Sequence, residues 1–252
     1  MPWSPEKYHQ FQTQRSAPFA DLLQLVDIRP GLRVVDLGCG TGELTRRLAD
    51  SLADSDVLGL DSSPQMLERA VEHARPGLRF ELGNLVELGS KWDLIFSNAA
   101  LQWSDDHEKL IPLLFSRLAP KGQIAVQVPS NHNSSVHLSI IEAAGREPFA
   151  SALGGWTRQS PVLPIETYAE LLFREEAQEI VVFEKVYPHV LENADAIVDW
   201  LSGTALIPYF ERLDSLKDDF VNAIRQDLRV LLPGEPVFYP FKRTFISARK
   251  AA

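Results

Sequence analysis

The stretch Leu32-Arg-Val-Val-Asp36-Leu-Gly38-Cys-Gly40-Thr-Gly42-Glu43 decides the fold. Its first half, Leu32 to Leu37, is a short run lying between Pro30-Gly31 and Gly38, which reads as a strand buried on both faces. Glu43 to Leu52 follows with apolar residues at helical spacing. Between strand and helix lie three glycines in five residues. Glycine lets a backbone turn tightly and lets a ligand approach without meeting a Cβ. A helix start behind such a turn offers free N–H groups and a partial positive charge to an anion.

Three ligand readings of this loop compete. A phosphate-cradling P-loop needs Gly-Lys followed by Ser or Thr, and no Lys follows here. A dinucleotide loop needs Gly three positions after Gly40, where this chain has Glu43, a carboxylate that repels pyrophosphate. A cofactor with an amino-acid end and no phosphate, S-adenosylmethionine, fits both facts. A glycine turn with no ligand stays open on the loop alone.

Outward from the loop, strands and helices alternate. Val57 to Leu60, Leu78 to Leu82, Asp93 to Asn98 and Gln123 to Val128 read as strands. Gln65 to Ala74 and Glu108 to Leu118 read as helices, and Pro120-Lys121-Gly122 as a turn. This alternation predicts an α/β fold with a mostly parallel sheet covered on both faces. In the second half, Ser135 to Ala144, Thr167 to Phe173, Ala194 to Leu201 and Leu216 to Leu231 read as helices, with Gly145 to Leu163 as a loop. Ile180 to Tyr187 and Phe238 to Ala248 complete seven strands, and Pro240 predicts an edge or a bend in the last. The expected organisation is one domain: residues 1–30 a lid, 31–130 a cofactor-binding core, 131–235 a helical cap containing strand six, and 236–252 the last strand.

Composition bounds the function. The 252 residues carry 25 basic and 34 acidic side chains, a net charge of −9, with a single Cys. That excludes a disulfide framework and a four-Cys zinc site, and no metal centre is expected. The excess of acid disfavours nucleic acid as a partner. No apolar run reaches the roughly 18 residues of a membrane span, and the polar N-terminal stretch reads as no secretory signal. The expected setting is cytoplasmic.

The strand ends carry the candidate ligand groups. Asp61, in Asp61-Ser62-Ser63-Pro64, can accept both ribose hydroxyls, or simply cap the next helix. Asn84 and Leu85 follow strand three, and Asn98 and Trp103 follow strand four, where ligands of open α/β sheets bind.

DLGCGTG, GLDSS, FSNAALQW and LAPKGQIAVQVP together resemble the class I S-adenosylmethionine-dependent methyltransferases. That resemblance implies a Rossmann-like, seven-stranded sheet with an antiparallel last strand. More of the chain, from WSPEKYHQFQTQRSAP through the segment Asp61 to Leu67 and IVDWLSGTALIPYF to FKRTFISA, resembles the trans-aconitate 2-methyltransferases. It implies methylation of a carboxylate on a small polycarboxylic acid. By position, Tyr8, Phe11 and Arg15 match a segment that folds over the cofactor. Asp36, Gly38 and Gly40, with Cys39 among them, match the cofactor loop. Asp61 matches the ribose acid, with Ser62 and Met66 beside it, and Asn98 the residue after strand four. The family pattern has Gly-Leu-Arg-Pro where this chain reads Ala205-Leu206-Ile207-Pro208, so one cation is missing, while Arg243 matches.

A carboxylate acceptor, with an ordinary pKa near about 4, is already ionised at neutral pH and needs no strong base. Orienting groups are therefore expected rather than a catalytic dyad. Arg243 is the leading substrate candidate because its planar fork grips a carboxylate in a bidentate way. Tyr209, His189, His137 and Trp103 are further substrate candidates, each with packing or capping as its ordinary role. Rival readings are methylation of another small molecule (a malonyl-thioester acid, a phenol or an amine) and a non-catalytic cofactor-binding regulator.

Overall fold

The computed structural model describes residues 12–89 and 91–252. Helix α1 spans Gln12–Gln24. Strands β1 (Arg33–Leu37), β2 (Asp56–Asp61), β3 (Leu78–Leu82), β4 (Trp92–Asn98) and β5 (Leu118–Pro129) follow. Helices α2 (Glu43–Ser51), α3 (Pro64–Ala70) and α4 (His107–Ser116) lie among them. The second half holds α5 (Ser135–Ala144), α6 (Phe149–Leu153), α7 (Ile165–Arg174), β6 (Gln178–Leu191), α8 (Ala194–Ser202), α9 (Ile207–Leu213), α10 (Lys217–Leu231) and β7 (Val237–Arg249).

The strands form one seven-stranded sheet in the order β3-β2-β1-β4-β5-β7-β6. The pairs β1–β2, β2–β3, β1–β4 and β4–β5 are parallel, and β7 runs antiparallel to β5. The order reverses between β1 and β4, which makes the crevice beyond their carboxyl ends the natural ligand position.

By compactness the chain divides into two units. The sheet unit comprises Ser16–Pro129, Pro161–Lys185 and Arg243–Ala252; the helical unit includes Ser130–Ser160 and Val186–Lys242. In the sheet unit one face packs Val35, Leu37, Ile95, Ile124, Val126 and Ile246 against Leu110 and Leu114 of α4 and Tyr168 and Leu172 of α7. On the other face Phe19 of α1 meets Phe96 edge-on at 5.8 Å. Burial of these side chains, at roughly 25 cal/mol per Å² of apolar surface, is the main force holding the sheet. In the helical unit Phe220, Ile224 and Leu228 give α10 its buried stripe, and Phe149 of α6 packs on Phe220 at 5.1 Å.

Four local expectations change. The Pro120-Lys121-Gly122 turn lies inside β5, which starts at Leu118. Lys121 takes a left-handed φ of 62° and the register shifts between Trp92 and Leu94, so a bulge absorbs the turn residues. Helix four stops at Ser116 rather than Leu118, because Leu118 pairs with Trp92. The Gly145 to Leu163 stretch contains α6, whose Phe149 and Leu153 are buried. The last strand lies between β5 and β6 rather than at an edge. Pro240 is compatible with this because the β5 ladder reaches only Arg243, opposite Pro129.

Candidate active site

At the end of β1 the backbone turns sharply into the glycine loop. Gly38 has φ 75°, and a Cβ there would lie 2.1 Å from Cβ of Ala100, so no other residue fits. The N–H groups of Gly38 and Cys39 both donate to the Leu60 carbonyl, at 2.8 and 3.0 Å, pinning the loop to β2. Gly40 has φ 56°, and a Cβ added there meets nothing within 4 Å. The loop thus offers bare backbone to open space. Gly42 caps α2 with no side-chain hydrogen bond to the helix start, leaving that start to solvent or a ligand.

Asp36 is buried and accepts a 2.6 Å hydrogen bond from the Thr45 hydroxyl. Burial pushes its carboxyl up to about 7, opposed by the Thr45 bond and reinforced by the Asp61 charge. The Cys39 thiol is likewise pushed well above its ordinary value, by burial first and then by Asp36 and Asp61. It is therefore a small packed group rather than a nucleophile.

Asp61 does local work with both oxygens. Oδ2 accepts from the Gly40 N–H and Oδ1 from the Ser63 N–H, each at 2.9 Å. Ser63, not Asp61, caps α3, its Oγ accepting from the Met66 N–H at 3.3 Å. A carboxylate oxygen has a second lone pair, so Asp61 keeps acceptor capacity for a ligand. Ser62 is exposed and Met66 half-buried. Asn84 is exposed and its carbonyl accepts from the Glu87 N–H, while Leu85 leans on the hydrophobic cluster. Trp103 is 51% exposed, which removes core packing as its role.

Register places four polar side chains on one face of the sheet. Asp36 lies opposite Phe96, and Asn98 follows two residues later on the same face. Asn98 pairs with Gln127, which pairs with Phe245, two residues from Arg243. Asp36, Asn98, Gln127 and Arg243 thus line β1, β4, β5 and β7 toward one end of the sheet. Arg243 is 5% exposed, and its Nη1 donates to Gln127 Oε1 at 3.1 Å. Oδ1 of Asn98 is buried without a hydrogen-bond partner among the described residues.

The turn beside Gly38 is fixed by a pair the sequence does not reveal. His107 and Tyr168 are buried and 61 residues apart. Nδ1 of His107 lies 2.5 Å from the Tyr168 hydroxyl and Nε2 lies 2.9 Å from the Leu101 carbonyl. Because Tyr168 also accepts from the Leu163 N–H at 3.1 Å, its own hydrogen serves Nδ1, and Nε2–H serves Leu101. Burial holds the His107 pKa below its ordinary value. Both ring nitrogens are occupied, so His107 braces the Leu101–Trp103 turn rather than moving protons.

Tyr209, His189 and His137 belong to the helical unit. Tyr209 packs on Trp156 and Phe220 and accepts from the Arg158 N–H at 3.2 Å. His189 is buried against Trp200 and Phe241. His137 lies 3.0 Å from the Ser134 hydroxyl that caps its helix. Burial, then the charges of His132 and Arg158, lower its pKa to about 4. Ile207 opens α9. Tyr8 and Phe11 lie outside the described residues, and Arg15 lies in α1 with its side chain outside them. Among the described residues no cluster of His, Cys, Asp or Glu is arranged to hold a metal ion. None of the described helices is long and apolar enough to cross a membrane.

Known proteins bear on this geometry. A methyltransferase domain family matches residues 28–153, the loop and the strand ends included. Two solved structures share the fold. The YcgJ protein of Bacillus subtilis aligns at TM-score 0.62 and 14% identity, over 94% of this chain and 99% of that one. Phosphoethanolamine N-methyltransferase 2 of Haemonchus contortus, in complex with S-adenosyl-L-methionine, aligns at 0.58 and 19%, over 94% and 53%. Fold and loop together define the class: a Rossmann-like class I S-adenosylmethionine-dependent methyltransferase. The chain is 46% identical to the trans-aconitate 2-methyltransferase of Deinococcus radiodurans over 99% of both chains, and 37% identical to that of Delftia acidovorans over 98% of both. It belongs to the trans-aconitate 2-methyltransferase family.

Proposed function

We propose that the chain transfers a methyl group from S-adenosylmethionine to one carboxylate of a small polycarboxylic acid of the trans-aconitate kind, acting as one methyltransferase domain. The observation that carries this reading is the buried Arg243 guanidinium on the same sheet face as the loop acid Asp36. A buried cation on the sheet face that carries the loop acid suits an anionic acceptor.

The open space at Gly40, the uncapped start of α2 and the orphaned Oδ1 of Asn98 fit the cofactor's amino-acid end. In this reading Gly38, Cys39 and Gly40 lend backbone, and Asn98 accepts from the ammonium. Asp61 accepts from the ribose hydroxyls, with Ser62 and Met66 beside it and Asn84 and Leu85 toward the base. Tyr8 and Arg15 complete the cofactor side. Bound S-adenosylmethionine supplies an electrophilic methyl group on a sulfonium. The protein contributes alignment and exclusion of water, worth several orders of magnitude when the reacting atoms are held in line. Arg243 holds a carboxylate that does not react, leaving the acceptor oxygen free. Tyr209, His189, His137 and Trp103 are the remaining substrate-side candidates. The engaged His107 and the raised Cys39 thiol suit a reaction without a general base. We place the reaction in the cytoplasm, in keeping with the lone unpaired thiol of Cys39.

The test is product analysis with a panel of di- and tricarboxylates, phenols and amines. The reading expects a monomethyl ester of a polycarboxylate. Methylation of a phenol or amine in place of any acid overturns it.

A further inference from the structure

Two glutamines stand four residues apart on the same face of β5, and they are used differently. Gln123 is fully engaged. Its Oε1 accepts from the Asp27 N–H at 3.0 Å, and its Nε2 donates to the Leu25 carbonyl and the Ser247 hydroxyl at 2.6 and 2.9 Å. That side chain ties the segment after α1 to the sheet. Gln127 has no exposed surface, yet its Nε2 has no hydrogen-bond partner among the described residues. Leaving a buried carboxamide N–H₂ without a partner is costly, so the fold retains it for a reason.

The chemistry of its neighbour fixes which way the amide points. A guanidinium only donates, so the atom facing Arg243 Nη1 must be Oε1. The Nε2 hydrogens are therefore not spent on Arg243. On either side of Gln127 lie Arg243 and Asn98, and all three line one sheet face.

We propose that Gln127 is a specificity-determining residue. It holds the Arg243 guanidinium through Oε1 and donates its Nε2 hydrogens to the same anchoring carboxylate of the acid. This inference rests on the functional reading above. It adds a neutral donor beside the cation, and that donor discriminates against substrates bearing a carboxamide at the anchoring position.

The first test is Gln127→Glu. The variant keeps an acceptor for Arg243, and a better one, but loses both hydrogens and adds charge. The added charge raises KM under either role, so the two are separated in an Arg243→Met background, where a Gln127 that acts only through Arg243 predicts no further rise in KM on Gln127→Met and a direct donor predicts a further rise. For Gln127→Glu our assignment predicts a KM for the acid raised at least tenfold, with kcat changed less and calorimetric cofactor affinity within twofold. The second readout is the ratio of kcat/KM for trans-aconitate to that for its monoamides, each with one carboxylate replaced by a primary amide. Wild type strongly disfavours the monoamide altered at the anchor, and Gln127→Glu narrows that ratio, because a carboxylate accepts from an amide N–H₂. Being a ratio within one protein, it is insensitive to partial misfolding. Gln127→Met, uncharged and of similar length, raises KM without the charge. Wild-type KM and wild-type ratio in Gln127→Glu, with active wild-type enzyme, overturn this assignment alone. Wild-type protein that methylates no acid overturns the functional reading and this assignment together.

Discussion

The carboxyl end of the sheet and the helical unit hold their polar groups in opposite ways. At the sheet end, polar groups are fixed by backbone and by each other and yet left partly unsatisfied. Gly40 donates to Asp61, Arg243 to Gln127, and Asn98 and Gln127 each keep a buried polar atom without a partner among the described residues. In the helical unit the candidate side chains are wrapped in their own packing. Tyr209 sits on Trp156 and Phe220, His189 on Trp200 and Phe241, and His137 on its helix cap. Buried groups normally find partners, so unsatisfied ones mark where a ligand is expected. In the proposed function, recognition lies chiefly at the sheet end and scaffolding chiefly with the helical residues named here.

The largest break of this contrast is Asp61→Ala. It removes a carboxylate that orders Gly40 and Ser63 and that we propose serves the ribose. Charge-assisted hydrogen bonds are worth about 1.5–3 kcal/mol each, so calorimetry is expected to show cofactor affinity down roughly 100-fold. An unchanged affinity removes Asp61 from the cofactor site. Next comes Arg243→Met, which preserves length and removes the charge. A KM for the acid raised about 30-fold, or about 2 kcal/mol, with cofactor affinity intact, is the expected outcome; wild-type kinetics would take Arg243 out of the site.

Two buried titrating groups set the regions against each other through pH. Asp36 has a raised pKa, so the native state keeps a proton that the unfolded chain releases. Its contribution is fully present below the ordinary carboxylate range of about 4 and is lost as pH rises through about 7. His137 has a lowered pKa, so its contribution is present above the ordinary histidine range of about 6.5 and is lost as pH falls through about 4. Melting curves across that window are expected to separate them. Asp36→Asn removes a component that declines with rising pH, and His137→Asn one that declines with falling pH. Identical profiles for wild type and both variants contradict the two assignments.

Smaller effects follow. Tyr168→Phe deprives His107 and the Leu163 N–H of a partner, at a cost of about 1–3 kcal/mol in stability, read by denaturant unfolding. Smallest is Tyr209→Phe, expected to cost about 1 kcal/mol through the Arg158 N–H, with kcat/KM changed by less than about threefold. A collapse of turnover there would move recognition into the helical unit.

The sheet end was legible in the sequence because its chemistry is local. Asp36 through Gly42 carries strand, turn and helix start within a few residues, and Asp61 and Asn98 sit at strand ends that short apolar runs announce. What escaped depends on distant pairing. His107 meets Tyr168 across 61 residues and Gln127 meets Arg243 across 116. Neither partner carries a sign of the other. Thr45 was hidden for a different reason: it reads as an ordinary helix residue until α2 turns it onto Asp36. Helix α6 escaped because it lies in a Gly- and Pro-rich stretch, where burial of Phe149 and Leu153 overrides weak local propensity. The parallel core, the antiparallel last strand and helices α5, α7, α8 and α10 followed from periodicity and the family resemblance together, whereas α9 was not read.

The most direct test of the central claim is mass spectrometry of a single reaction: purified protein, S-adenosylmethionine and trans-aconitate. The account predicts a monomethyl ester and stoichiometric S-adenosylhomocysteine, with the ester lost in Arg243→Met at limiting acid while cofactor binding persists. Micromolar cofactor binding with no ester from trans-aconitate or any other di- or tricarboxylate would contradict it.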